Sequence, residues 1–368
     1  MKKVYLWQQD NWPAFSWDMA AVSASFGRVR QKQGHLLGRV DALGFEVQKK
    51  SVLDAMTQEV VSSSAIEGVS LNPASVRSSV ARQLGLEIEG VNESDHYTEG
   101  LVQIAIDAAR NCDAPLTESR LMNWHAALFP SGRSGMFPIT VAAYRTGEDP
   151  MRVVSGAFGK EKIHYEAPAS AEVPGMMQKL LEWINSDTDT DDVLKAAIAH
   201  LWFVSIHPFD DGNGRIARTI ADMLMARSDG MPHRYYSMSA AINKMKSVYY
   251  DVLEKTQKGN LDITAWLLWF LKCLEAAIDA TEKVIDKVVA KAVFWEKNRH
   301  IPMNERQTKM VNMLWDGFEG KLKSSKWAKI CKCSEDTALR DISFLVSEGV
   351  LRKSDKGGRS TNYELNID

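Results

Sequence analysis

The sequence predicts a mainly α-helical protein of more than one domain. Glycine (23) and proline (11) together are under a tenth of the 368 residues, below the ~12% of average usage, so helix breakers are scarce. Apolar residues recur at helical spacing, as in Leu53, Met56 and Val60, or Ile216, Ile220, Met223 and Leu224. The length exceeds that of one ordinary domain. Hydrophobic residues at 45% and charged residues at 25% give material for a core and no compositional case for disorder. Lys plus Arg (45) nearly balances Asp plus Glu (47), a net charge of −2. That balance excludes a chain built mainly to coat nucleic acid or a membrane surface.

The four cysteines, Cys112, Cys273, Cys331 and Cys333, are too few for a disulfide framework in a chain this long. The Cys331–Cys333 pair has no second cysteine or histidine pair nearby to complete a zinc site. The N-terminus turns polar at Gln8, and no run approaches the ~18 apolar residues of a membrane span. The expectation is a cytoplasmic protein with no membrane partner.

Taken in order, residues 1–17 carry Trp7, Trp12 and Trp17 around Pro13 and read as an aromatic arm packed on the helices that follow. Residues 18–110 are helical, with one segment stopping at Gly68, a natural residue just past a helix end, and a further helix over 96–110. Between residues 131 and 168, Gly132, Gly135, Gly147, Gly156 and Gly159 punctuate β-prone runs at 139–144, 151–154 and 163–165, which predicts a hairpin. Helical spacing resumes over 173–184. Asp191 and Asp192 open another helix bearing Leu194, Ile198, Leu201 and Trp202, and Pro208 biases His207 out of it. Further helices are expected from Asn213 or Gly214, over 244–256, and over 262–297 as a long connector. From Asn304, three helices and two short strands (350–352 and 361–365) around Gly357 and Gly358 read as a winged helix. The expected division is 1–112, a core at 113–270, a linker helix at 271–300 and a winged-helix domain at 301–368.

The segment His207-Pro208-Phe209-Asp210-Asp211-Gly212-Asn213-Gly214-Arg215-Ile216-Ala217-Arg218 stands apart. A helix ends, a loop offers an imidazole and a carboxylate, and a small-residue turn opens the next helix. Gly212 and Gly214 allow close backbone approach, and the first amides of a helix form an anion site. Arg215 and Arg218 lie three apart on the first turn, where both can face one anion although the helix dipole disfavours cations there. A polyphosphate would resolve that conflict. Asp211 beside such a cradle suits Mg²⁺, and His207 suits a general base near neutral pH.

These twelve residues resemble the signature of the Fic family, His-Pro-Phe-x-(Asp/Glu)-Gly-Asn-Gly-Arg-x-x-Arg, at every fixed position. The resemblance implies a helical Fic core that transfers AMP from ATP to a Ser, Thr or Tyr hydroxyl of a protein, the chain itself included, and releases pyrophosphate. His207 would take the hydroxyl proton and Asp211 would hold Mg²⁺. Gly212, Asn213 and Gly214 would cradle the inner phosphates, with Arg215 and Arg218 on the outer ones. Fic relatives that act as kinases alter the Gly-Asn-Gly-Arg portion, which is intact here.

Ser63-Ser64-Ala65-Ile66-Glu67-Gly68 places a carboxylate at a helix C-terminus, against the dipole. It resembles the Fic inhibitory motif (Ser/Thr)-x-x-x-Glu-(Gly/Asn), whose Glu reaches the second signature Arg. Ser63 and Glu67 would thus brake the site from an N-terminal helix, and Glu67→Gly would release it. The family also places a β-hairpin flap before the signature to dock the target by strand addition, which implies that role for Ile163, His164 and Tyr165. Tyr249, Tyr250 and Gln257 fall where the family lines its adenine pocket. The Trp arm with its following helices resembles a segment ahead of many bacterial Fic cores.

The winged helix offers a different class of function. From residue 321 to 360, ten Lys/Arg stand against five Asp/Glu, a local +5. Residues 334–341 resemble the start of a recognition helix and Gly357-Gly358-Arg359-Ser360 a wing tip. Glu335, Asp336 and Asp341 would face phosphates poorly, which disfavours DNA as the main partner and leaves protein contacts or a homodimer as other uses of the module. Two further readings stand beside AMP transfer. One is removal of AMP by the same site, and the other is a DNA-binding regulator that senses nucleotide.

Overall fold

Trp12, Phe15, Trp183 and Trp202 pack ring against ring and fasten the N-terminal arm to the helices behind it. The computed structural model describes residues 4–88, 90–156, 161–354 and 361–367, and it divides into two compact units, Met1–Glu282 and Lys283–Asp368. The fold is mainly helical with small β-hairpins. No described helix is long and apolar enough to cross a membrane.

In the first unit the helices are α1 (Met19–Asp41), α2 (Phe45–Ile66), α3 (Pro73–Leu84), α4 (His96–Arg110) and α5 (Glu118–Leu128). After two hairpins come α6 (Val173–Asn185), α7 (Asp192–Ile206), α8 (Asn213–Asp229), α9 (Met238–Lys244), α10 (Lys246–Gln257) and the long α11 (Thr264–Lys297), inside which the unit boundary falls. Start signals are local: Asp18, Asn72, Asp95, Thr117 and Asp191 each accept a backbone N–H of the helix that follows. The centre is α7, buried on every side because nearly all its residues are small or apolar, with α8 packed along it. Against α8 lie α4 and the C-terminal half of α2, so the end of α2 and the start of α8 meet. The short α9 is an addition to the expected elements; Ser237 caps it by accepting from Ala240 N.

The first hairpin pairs β1 (Arg133–Ser134) with β2 (Phe137–Pro138), and the second pairs β3 (Arg152–Ser155) with β4 (Lys162–Glu166), both antiparallel. The expected β-run at 139–144 is not a strand. Its amides bond elsewhere: Ile139 N–H donates to Gly132 O, Thr140 N–H to Asp210 Oδ2 and Ala142 N–H to His125 Nδ1. Ala142 also takes the left-handed conformation, φ 54°, which no strand allows.

The second unit holds α12 (Glu305–Trp315), α13 (Ser324–Cys331), α14 (Glu335–Ser347) and an antiparallel pair, β5 (Leu351–Lys353) and β6 (Tyr363–Leu365). Trp327, Met310, Ile342, Leu345 and Val350 fill its core. Asp341, expected on the outward face of α14, is buried and paired with Arg306 at 2.8 Å. The expected wing tip, Gly357 to Ser360, lies outside the described residues, as does Gly159 of the second hairpin.

Candidate active site

Helix α7 ends on His207, whose backbone is left-handed (φ 52°, ψ 59°). Pro208 disfavours the right-handed helical region at the residue before it, and this turn is how the chain leaves the helix. The imidazole Nδ1 lies 3.3 Å from Val204 O. A carbonyl can only accept, so Nδ1 carries the proton and Nε2 is the basic nitrogen. Burial pushes the His207 pKa down to about 4; the Val204 carbonyl opposes this, Arg145 adds to it, and Glu67 and Asp211 oppose it. The ring is therefore neutral near pH 7, as a general base requires.

The loop from His207 to Gly212 is clamped from inside. Phe209 N–H donates to Asn213 Oδ1 at 3.0 Å, and Asn213 Nδ2 donates back to Phe209 O at 2.8 Å. The Asn213 side chain is thus a buried brace, which leaves its backbone amide for a phosphate. Gly212 is left-handed (φ 84°), and a Cβ there would meet the Phe129 ring at 2.9 Å. His125 on α5, which sequence reasoning does not single out, stacks on Phe209 at 4.0 Å between ring centres. Its Nε2 lies 3.1 Å from Asp211 O and its Nδ1 accepts from Ala142 N–H, so the ring joins the loop to the 139–144 segment. Burial lowers its pKa as well, in keeping with a neutral ring. A lone histidine in a helix of mixed composition gives no sign of this in sequence.

Asp211 accepts from Ser134 Oγ and Gly212 N–H and lies 3.5 Å from Arg215, with 42% of its side chain exposed. Among the described residues no group of three or more His, Cys, Asp or Glu could hold a metal. A single exposed carboxylate beside an anion-binding helix start instead fits Mg²⁺, which takes one or two carboxylates together with phosphate oxygens and water.

Glu67 closes the other side. Its Oε1 accepts from Arg218 at 2.8 Å, while Arg218 also donates to Ser63 Oγ and Ser63 O, each at 3.0 Å. A Cβ added at Gly214 would collide with Glu67 Oε1, so the carboxylate rests on the first turn of α8, where the helix offers unpaired amides and positive potential. Burial works against the Arg218 charge, but Glu67, with Tyr249 and Tyr250, outweighs it and its pKa is raised. Arg215 turns elsewhere: it donates to Tyr97 OH at 2.7 Å, nears Asp211 and lies over the Phe129 ring. Within the chain the two arginines therefore have separate partners. From α10, Lys246 and Tyr250 donate to Ala65 O and Ile66 O, the last carbonyls of α2.

The remaining expected residues divide. Tyr249 is buried, with its hydroxyl 3.0 Å from His200 Nε2, and Gln257 is buried with its amide donating to Val204 O and Ser205 Oγ. Both belong to the core and cannot face a base as expected; Tyr250 keeps 41% exposure. On the second hairpin, Tyr165 is also core, its hydroxyl bonded to Ser205 O, so it anchors the strand and does not dock a target. Ile163 is exposed. His164 is held between Glu254 and Ser155, each at 2.6 Å.

Residues 115–225, which include the signature loop, match the Fic/DOC family, and residues 5–86, which include Glu67, match a domain of unknown function, DUF4172. Proteins named protein adenylyltransferase Fic from Drosophila willistoni and Drosophila virilis are 28% identical over 132 residues, 34% of this chain. The match spans only 25% and 26% of their own lengths. A Fic family protein from Desulfovibrio desulfuricans G20 shares the fold over 93% of this chain and 95% of its own, with a TM-score of 0.52 at 18% identity. A fragment of Fic-1 from C. elegans does so over 73% of this chain and 76% of its own, with a TM-score of 0.50 at 22% identity.

Proposed function

Because this chain belongs to the Fic family, we propose that it is a protein adenylyltransferase held in check by Glu67. In this reading a target Ser, Thr or Tyr hydroxyl approaches His207, whose neutral Nε2 takes the proton. The freed oxygen attacks the α-phosphorus of ATP in line, the bond to the β-phosphate bridging oxygen breaks, and pyrophosphate leaves. The amides at the start of α8 face the charge that develops on the phosphates. Asp211 would hold Mg²⁺, which when bound neutralises phosphate charge. Arg218 would pair with the outer phosphates once Glu67 withdraws, with Arg215 nearby.

The observation that carries this reading is the Glu67 carboxylate on Arg218 and Gly214, an anion from the chain itself lodged at the anion-binding start of α8. Target docking on the exposed hairpin and use of the second unit as a winged-helix contact module belong to the same proposal. The test compares label transfer to protein from ATP labelled at the α or the γ position, using Glu67→Gly with His207→Ala as control. Transfer from the α position that depends on His207 supports the reading. Transfer from the γ position alone would overturn it.

A further inference from the structure

Arg145 follows the 139–144 segment and is 4% exposed. Its Nε donates to His207 O at 2.8 Å, one terminal nitrogen donates to Pro168 O at 2.6 Å and Ile206 O at 3.4 Å, and the other to Ser170 Oγ at 3.1 Å. Its own backbone N–H donates to Pro208 O at 2.8 Å. Among the described residues it makes no ion pair. Burial lowers its pKa, and Asp210 is the acid whose field opposes that.

A buried guanidinium with only neutral partners carries a desolvation cost that a hydrophobic residue of similar size would avoid. What it provides is a planar fork whose donors reach several acceptors at fixed angles. The acceptors lie on two segments. Ile206 O and His207 O are the last carbonyls of α7, where a helix is short of donors and its dipole favours a cation. Pro168 O and Ser170 Oγ follow β4, at the root of the hairpin.

We infer that Arg145 is the positioning residue for His207, holding the end of α7 to the root of the β3–β4 hairpin so that the base keeps its place. Arg145 touches no reacting atom and acts through the His207 and Ile206 carbonyls. This rests on the adenylyl-transfer reading, in which the hairpin side receives the target and His207 takes its proton. A lysine at this position could supply the charge but not the fork, and a methionine would fill the volume with neither. The variants are therefore Arg145→Lys and Arg145→Met.

The test uses the full chain in the Glu67→Gly background with ATP as the probe. Three quantities are read: ATP affinity by calorimetry, label transfer from α-labelled ATP, and hydrogen exchange of the amides from residues 207 to 212. Arg145→Met is expected to cut transfer about 100-fold while ATP affinity changes less than about threefold, because a misplaced base costs rate and not nucleotide binding. Loop exchange should rise about tenfold with α8 still protected, and Arg145→Lys should recover part of both losses. Unchanged loop exchange and transfer in a folded Arg145→Met, or parallel loss of ATP affinity and transfer with no gain from lysine, would overturn the inference. If Arg145→Met does not fold, Arg145→Lys alone decides on the same measurements. If the Glu67→Gly parent transfers no label, the adenylyltransferase reading fails, and loop exchange still decides whether Arg145 holds His207.

Discussion

The two sides of the candidate site are held in different ways. On the His207 side, the loop is braced by the reciprocal Asn213–Phe209 bonds, by His125 stacked on Phe209 and by the imidazole Nδ1–H donated to Val204 O. On the Glu67 side, the carboxylate rests on one ion pair at the C-terminal end of a helix, with 31% of its side chain exposed and two donors from α10 behind it. Under the proposed reading, the difference means that the groups for chemistry are preorganised while the Glu67 contact is the part that would open. A base must sit still to be useful, and a brake must be able to leave.

The largest effect should come from the rigid side. In the Glu67→Gly background, His207→Ala should lower transfer by about 100- to 10,000-fold, the range for loss of a positioned base. Its pH profile is part of the same prediction. A folded pKa of about 4 means the base form persists as pH falls, and loss of Glu67, which raises that pKa, moves it lower still. Transfer should therefore hold down to about pH 6, where an unshifted imidazole would be about three-quarters protonated. A drop centred near the ordinary histidine pKa would show that His207 is not preorganised as neutral.

Glu67→Gly comes next, with an expected rise in transfer of about 5- to 150-fold, the usual span of a coupling between two states. Calorimetry should show the gain as tighter ATP binding. Equal labelling by mutant and parent would break the comparison, since the adjustable side would then adjust nothing.

Asn213→Ala sharpens it from the other direction. Two buried backbone groups of Phe209 lose their partners, so stability should fall by about 1–3 kcal/mol, read as a lower melting temperature with or without nucleotide. An unchanged melt would mean that the loop is held by packing alone. The smallest effect is expected from Tyr250→Phe, which removes the donor to Ile66 O. Weakening the end of α2 by one hydrogen bond should raise transfer about 2- to 10-fold with Glu67 present. With Glu67→Gly already in place the change should vanish, and a gain there would point to a role outside the brake.

Much of this is legible in the residues. The helices declare themselves through spacing and capping residues, and the twelve-residue signature and the Glu67 segment are contiguous. What escapes is facing and partnership. The run at 139–144 has strand-like composition, yet its amides find Asp210 and His125. Tyr165, Tyr249 and Gln257 have the chemistry of ligand-facing groups and lie in the core instead. Asp341 reads as an obstacle on a recognition helix and is tied to Arg306. His125 and Arg145 carry no motif.

By itself the sequence determined where helices begin and end, and which residues meet in one loop. Those choices rest on backbone preference and on side chains within a turn or two of each other. The pairing of Glu67 with Arg218 across 151 positions is implied by the motif resemblance and carries a distance only in the fold. Only the tertiary structure decided that the two signature arginines take separate partners and that Arg145 reaches back to His207 across 62 positions. Such pairings depend on how distant helices pack, because a buried polar group takes whatever partner the fold brings within reach.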